Sequence, residues 1–89
     1  MISGSIADGE NLAFTIPNDG KRYFPEIRVL TISAHTLTIQ RYSESLDNWY
    51  STGDTITEQG IHYAESNKGG QYRVLCSGGT GSADLEIGV

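Results

Sequence analysis

The stretch GQYRVLCSGGTGSADLEIGV at residues 70–89 decides the fold, because it predicts two strands joined by a glycine-rich turn. Its second half alternates without a break, with Ala83, Leu85, Ile87 and Val89 on one side and Ser82, Asp84 and Glu86 on the other. Successive side chains of a strand point to opposite faces, so this alternation indicates one dry face and one wet face. A helix would bring Asp84 and Ile87 to the same side. We therefore predict that the segment ends in a strand that is part of the folded core.

The composition of the whole chain also favours β-structure. The 89 residues include 11 glycines and many Thr, Ile, Tyr, Val and Ser residues, without helical periodicity. A hydrophobic fraction of 37% is enough to form a core. Cys76 is the only cysteine, so no intrachain disulfide can form. Its place beside Tyr72 and Val74 on the apolar side of a strand predicts a buried free thiol.

Turn signals divide the rest of the chain at intervals of roughly 8–12 residues, which is typical of a sandwich or barrel. Residues 1–9 could form an edge strand, an arm or a frayed end. Further strands are predicted at residues 12–16, 26–33, 36–42, 49–51, 55–57 and 61–65, followed by a turn at 66–70. The predicted fold class is all-β: a small antiparallel β-sandwich of about eight short strands, jelly-roll or immunoglobulin-like. We expect one domain over residues 1–89.

Two segments are candidates for a subunit interface. Residues 26–33 carry apolar side chains on both faces, which predicts a strand that is covered on both sides. The loop before it contains two aromatic residues. If the protein associates with itself, we expect Tyr23, Phe24, Leu30 and Ile32 at the interface.

The charge of the chain argues against nucleic-acid binding. The formal net charge is -5 and the isoelectric point is about 4.7, whereas a nucleic-acid backbone requires clustered Lys and Arg. Anionic membrane surfaces are disfavoured for the same reason, and no stretch approaches the roughly 18–20 apolar residues that span a bilayer. The first residues show neither the basic nor the apolar part of a signal peptide, so we expect synthesis in a cytoplasm.

The sequence contains no recognisable catalytic motif. His35 and His62 have no partner at a spacing typical of zinc, and we interpret them as solvated or structural residues. The glycine-rich segment 77–82 precedes a strand and lacks the lysine of a phosphate-binding loop, so it is better interpreted as a hairpin turn. The carboxylate pairs are interpreted as solvated surface: Asp8 with Glu10, Glu44 with Asp47, and Asp84 with Glu86. We predict no enzyme activity, no cofactor and no metal.

The tryptophan leaves two interpretations open. Trp49 could fill the core of the sandwich, which we favour for a lone tryptophan in a small domain. Alternatively, Trp49 and Tyr50 could be exposed and stack on sugars, which would make the protein a carbohydrate-binding module.

A pattern of strands and turns resembles a known family. It consists of TIQ at 38–40, a polar loop to Trp49, TIT at 55–57, Gly60, GQYRV at 70–74 and SGGTGSADL at 77–85. Over roughly residues 36–89 this resembles small β-sandwich virion proteins of tailed bacteriophages. The resemblance implies capsid decoration or cementing, or an accessory role in a tail or fibre. It also implies self-association, often as a trimer, attachment to a major capsid or tail protein, and a location on the virion surface after synthesis in the host cytoplasm.

Overall fold

The computed structural model describes residues 1–64 and 69–89, and this part of the chain contains eight strands and no helix. The all-β prediction is therefore confirmed. The strands are β1 (Ile2–Ala7), β2 (Asn11–Ile16), β3 (Glu26–Thr31), β4 (Thr36–Ser43), β5 (Asn48–Ile56), β6 (Gly60–Tyr63), β7 (Gly70–Ser77) and β8 (Ser82–Gly88). The predicted strand end at Glu65 and most of the predicted turn at 66–70 lie outside the described residues.

The strands form two antiparallel sheets of four strands each. Sheet A has the order β1-β8-β3-β6 and sheet B has the order β2-β7-β4-β5. The first strand pairs with the eighth, the second with the seventh, the third with the sixth and the fourth with the fifth. The chain is thus one long hairpin whose four strand pairs belong alternately to the two sheets. This arrangement is an eight-stranded jelly roll, and it decides between the two sandwich types that the sequence left open.

The core lies between the two sheets and follows the predicted alternation. In sheet A the buried partners Ile27 and Ile87 stand opposite each other, and in sheet B the buried partners Ile39 and Val74 do the same. Each such side chain contributes about 1.5–3 kcal/mol when it is fully removed from water. Cys76 is a buried free thiol, as predicted. Val89 lies beyond β8 and is half exposed, so the dry face of the last strand ends at Ile87.

The first residues form an edge strand rather than an arm. β1 pairs with β8 along its whole length, from Ile2 opposite Ile87 to Ala7 opposite Ser82. Ile6 is buried in the core. The backbone hydrogen bonds of this pairing and the burial of Ile6 hold the segment in sheet A.

Two β-bulges change the strand pattern that the sequence predicts. The predicted strands at 49–51 and 55–57 are one strand, β5, whose register shifts where residues 52–54 face Ile39. Gly53 adopts a positive φ of 97° there, so the predicted break between these two segments is a bulge within one strand. In β3 the register shifts between Val29 and Thr31, which leaves Leu30 as the extra residue.

Candidate interaction surfaces

Four exposed apolar side chains lie in β6, in β3 and in the loop before β3. They are Phe24, Leu30, Ile61 and Tyr63, and their exposed fractions are 62%, 45%, 54% and 63%. We call this set the β3–β6 strip. Large apolar side chains are costly to leave exposed to water, so this set marks a candidate interaction surface.

Strand register places Ile61 and Tyr63 on the outer face of sheet A. Residues directly opposite each other in antiparallel strands share a face. Ile61 stands opposite Arg28, and Tyr63 stands opposite Glu26. Arg28 donates to Glu26 at 2.8 Å on this solvent side, and the bond raises the pKa of the guanidinium. The outer face of β3 and β6 therefore combines two apolar side chains on β6 with one ion pair on β3.

The β6 residue between Ile61 and Tyr63 points toward the core. His62 stands opposite the buried Ile27 and is half-buried, and its Nε2 lies 2.9 Å from the carbonyl oxygen of Glu58. Among the described strands, β6 pairs only with β3. An edge strand of this kind offers unpaired backbone groups to another chain.

Two of the four predicted interface residues belong to the strip and two do not. Phe24 and Leu30 are exposed, whereas Tyr23 and Ile32 pack partly against the core. The bulge at Leu30 is the reason for the position of Ile32, because one extra residue reverses the alternation that follows it. The expectation that Leu30 and Ile32 share an outer face is therefore wrong.

Tyr23 is held by its own loop. Its hydroxyl donates to a carboxylate oxygen of Asp19 at 2.6 Å, and this bond raises the pKa of the phenol and lowers the pKa of the acid. The ring packs against the core while the hydroxyl remains within the loop. Tyr23 therefore acts as an anchor for the loop, and Phe24 beside it is left exposed.

Ile61 and Tyr63 were missed as interface candidates. The signal was present in the sequence, because Ile61 and Tyr63 alternate with His62 and Ala64. Ala64 is the buried member of that short run, and it fixes the parity of the other three. The sequence alone does not show that Ala64, rather than the larger Ile61, fills the core. The inner face of this strand could therefore not be assigned.

Trp49 lies on the outer face of sheet B, so the preferred core interpretation is wrong. Its register partner is Tyr42, and the two rings meet edge to face with centroids 5.3 Å apart. The guanidinium carbon of Arg73 lies 4.4 Å from the tryptophan ring centroid. Arg73 also donates through Nε to Gln40 at 2.7 Å. Trp49 is consequently half-buried by its neighbours on a surface of the sandwich.

Tyr50 points to the opposite face from Trp49, since the two residues are adjacent in β5. Its register partner is Arg41, which in turn pairs with the buried Tyr72. Tyr50 remains 45% exposed. Trp49 and Tyr50 therefore do not form one stacking platform; Tyr42 is the aromatic neighbour that Trp49 has on its own face.

His35 and Cys76 are both buried. His35 is buried, and its Nδ1 donates to the carbonyl of Gly78 at 2.6 Å. Burial raises the pKa of the Cys76 thiol, which disfavours the reactive thiolate. Within the described residues, no group of three or more His, Cys, Asp or Glu side chains could hold a metal ion.

Several of the predicted surface carboxylates hold segments together. Asp8 accepts from the N–H of Gly78 at 2.9 Å, Glu10 accepts from the N–H of Ala7 at 2.7 Å, and Asp84 accepts from the hydroxyls of Ser5 and Thr31. The hydroxyl bonds lower the pKa of Asp84. Asp84 therefore links three neighbouring strands of sheet A.

Comparison with known proteins finds no match for this chain among family models, curated proteins or solved structures. In the described part of the chain, no helix is long and apolar enough to cross a membrane.

Proposed function

We propose that this protein is a structural virion protein that decorates or cements a capsid, and that it acts by binding rather than by catalysis. The observation that carries the proposal is the β3–β6 strip. Jelly rolls occur in viral capsid and lectin domains, but a fold does not by itself select a function. The exposed surface of the strip supports assembly as that function.

The size of the strip suits a contact that is repeated many times. A covered aromatic side chain buries about 150–250 Å², so the four partly exposed residues offer an apolar area on the order of 400 Å². A stable interface buries about 800 Å² per partner. The strip would supply the apolar centre of such an interface, and polar surface would supply its rim. In a symmetric shell many such contacts act together, so modest affinity at each one is sufficient.

A second copy of the chain is the partner that the strip fits best. Antiparallel pairing of β6 with the β6 of another copy would place Ile61 of each copy opposite Tyr63 of the other. Such pairing would satisfy the open backbone edge and cover both apolar side chains together. Leu30 borders a shallow outer depression of about 380 Å³ over β1 and β8, which extends the same face.

The test is a pair of matched double variants. Ile61→Lys/Tyr63→Lys adds two charges to the strip, and Leu46→Lys/Tyr50→Lys adds two charges at apolar side chains that are 65% and 45% exposed elsewhere. Light scattering after size exclusion should show oligomers for the wild type and the control, and monomers for the strip variant. Co-sedimentation with capsid shells assembled from a tailed-phage major capsid protein gives a second readout. A wild-type protein that stays monomeric at high concentration and does not bind shells would contradict the proposal.

Carbohydrate binding is a second candidate, and the position of Trp49 favours it. An aromatic ring on the outer face of a sheet can stack on a sugar, although here Arg73 covers one side of the ring. Because Trp49 is the only tryptophan, its fluorescence reports on this site alone. A glycan-dependent change in emission that Arg73→Ala alters would support this function, whereas emission that no glycan changes would leave decoration as the proposed function.

A further inference from the structure

A basic depression lies beside the loop between β2 and β3. It has a volume of about 410 Å³, and its lining includes Lys21, Arg22, Arg41, Asn18 and Gly69. It thus contains three of the six Lys and Arg residues of a chain whose net charge is -5. This concentration of positive charge is unusual for an acidic protein and requires a physical explanation.

The depression is held together by tight contacts between three segments. The backbone of Gly69 approaches Asn18 so closely that a Cβ at Gly69 would lie 2.5 Å from the Asn18 Cα. Arg41 donates to the Gly69 carbonyl at 3.1 Å, and its guanidinium carbon lies 6.0 Å from the ring centroid of the buried Tyr72. The loop that carries Lys21 and β4, which carries Arg41, are therefore both fixed against the start of β7.

The carboxylate of the loop that carries Lys21 is hydrogen-bonded within that loop. Asp19 accepts from the Tyr23 hydroxyl at 2.6 Å and from the N–H of Lys21 at 3.0 Å, and it is not part of the lining. No carboxylate belongs to the described residues that line the depression. The three cations therefore face one space with no acidic side chain from that lining to neutralise them.

An adjoining depression of about 360 Å³ shares Asn18, Arg41 and Gly69 with the basic depression. It adds the hydroxyls of Ser43 and Ser45 and the carboxylate of Glu44. Hydroxyl and amide groups next to cations suit a polar ligand that carries negative charge at one end.

We propose that the basic depression binds an oxyanion group, either sulfate or carboxylate. The guanidinium of Arg41 supplies a fixed fork of donors, which matches two oxygens of such a group. Lys21 and Arg22 add charge from the other side of the depression. The group belongs either to a free inorganic anion or to an acidic oligosaccharide whose hydroxyls reach the adjoining depression. None of the residues that line the depression belongs to the β3–β6 strip.

The test is a titration of the intact protein, followed by backbone amide signals in nuclear magnetic resonance at constant ionic strength. The first probe is sodium sulfate and the second is a sulfated oligosaccharide. Lys21→Gln/Arg22→Gln is compared with Thr57→Glu/Thr80→Glu at two exposed positions outside the depression, because each pair changes the formal net charge from -5 to -7. Arg41→Lys keeps the charge and removes the fork.

We expect saturable shifts at the amides of Gly20, Lys21 and Gly69 in the wild type and in the control pair. The affinity should fall about tenfold in Lys21→Gln/Arg22→Gln, as expected for the loss of charge-assisted hydrogen bonds. Tighter binding of the oligosaccharide than of sulfate at the same amides identifies the acidic glycan as the source, and equal binding identifies the free anion. Three results overturn the proposal: no saturable shift, equal losses in the two charge-matched pairs, or tighter binding of a DNA oligonucleotide at these amides.

Discussion

The glycine-rich turn between β7 and β8 gives the sharpest test of the packing, because three of its glycines share one backbone conformation. Gly78, Gly79 and Gly81 have φ values of 74°, 72° and 73°. A Cβ at Gly79 would lie 2.5 Å from the carbonyl oxygen of Ser33 and 2.6 Å from Nδ1 of His35, whereas a Cβ at Gly81 would meet nothing within 4 Å. Alanine substitutions at these two positions therefore differ in steric clash and not in backbone strain.

The magnitudes follow from these distances. A left-handed backbone conformation destabilises alanine by about 1–2 kcal/mol. Alanine also lowers the entropy of the unfolded chain, which offsets about 0.4–1 kcal/mol of that loss. Gly81→Ala should therefore destabilise the protein by about 1 kcal/mol. Gly79→Ala adds overpacking of about 1–3 kcal/mol and strains the bond from the buried His35 to Gly78. We expect a total of about 3–5 kcal/mol for Gly79→Ala.

Thermal unfolding followed by circular dichroism, with urea titration in parallel, measures both variants. For a domain of this size, 1 kcal/mol corresponds to about 4–8 °C in Tm. Gly81→Ala should lose about 5 °C and Gly79→Ala about 15–25 °C. Gly78→Ala, whose Cβ would make an ordinary 3.5 Å contact with the carbonyl oxygen of Ala34, should behave like Gly81→Ala. Equal losses in Gly79→Ala and Gly81→Ala would show that His35 and Ser33 do not form the rigid wall that we infer.

Further outcomes are expected at other sites in sheet A and the core. The thiol of Cys76 should resist thiol reagents in the native protein and react once urea unfolds it, because burial raises its pKa; rapid labelling of the native protein would contradict this. Hydrogen bonds from Ser5 and Thr31 lower the pKa of Asp84 below its usual 3.8, so the stabilisation is present above that value and is lost as the pH falls through the lower folded pKa. Asp84→Asn should therefore be less stable than the wild type at neutral pH and approach it in acid. Leu85→Ala should cost about 2–5 kcal/mol in urea unfolding, and a loss below 1 kcal/mol would contradict its place in the core.

The strand content could be predicted because the alternation of apolar residues is regular where both sheets cover the strand. The last strand shows this most clearly, since Ala83, Leu85 and Ile87 are all buried. The order of strands in the sheets could not be predicted, because alternation specifies which face is buried and not which strand lies beside it. The pairing of β1 with β8 joins residues from opposite ends of the chain, and no local pattern reports it.

The bulges explain the errors at the candidate site. Leu30 is an ordinary apolar residue in the sequence, yet as the extra residue of β3 it turns Ile32 back toward the core. Gly53 signals a break, and the sequence alone does not distinguish a turn from a bulge that keeps the strand continuous. The error at Ile32 is one residue of register, which is enough to exchange the inner and outer faces. The Gly53 bulge instead places the three residues 52–54 opposite Ile39, so the faces stay the same on both sides of it.

The tryptophan was misplaced for a different reason. Burial preference favours the core for Trp49, but its strand parity is fixed by Ile56 on the far side of the Gly53 bulge. If side chains alternate along the strand from the buried Ile56 back to Trp49, Trp49 lies on the outer face. The register agrees, because it pairs Trp49 with Tyr42 on that face. A large ring on the outer face stays half-buried only because Arg73 and Tyr42 cover it. The size of a side chain therefore predicts that it will be covered, whereas strand register decides whether the core or a surface cluster covers it.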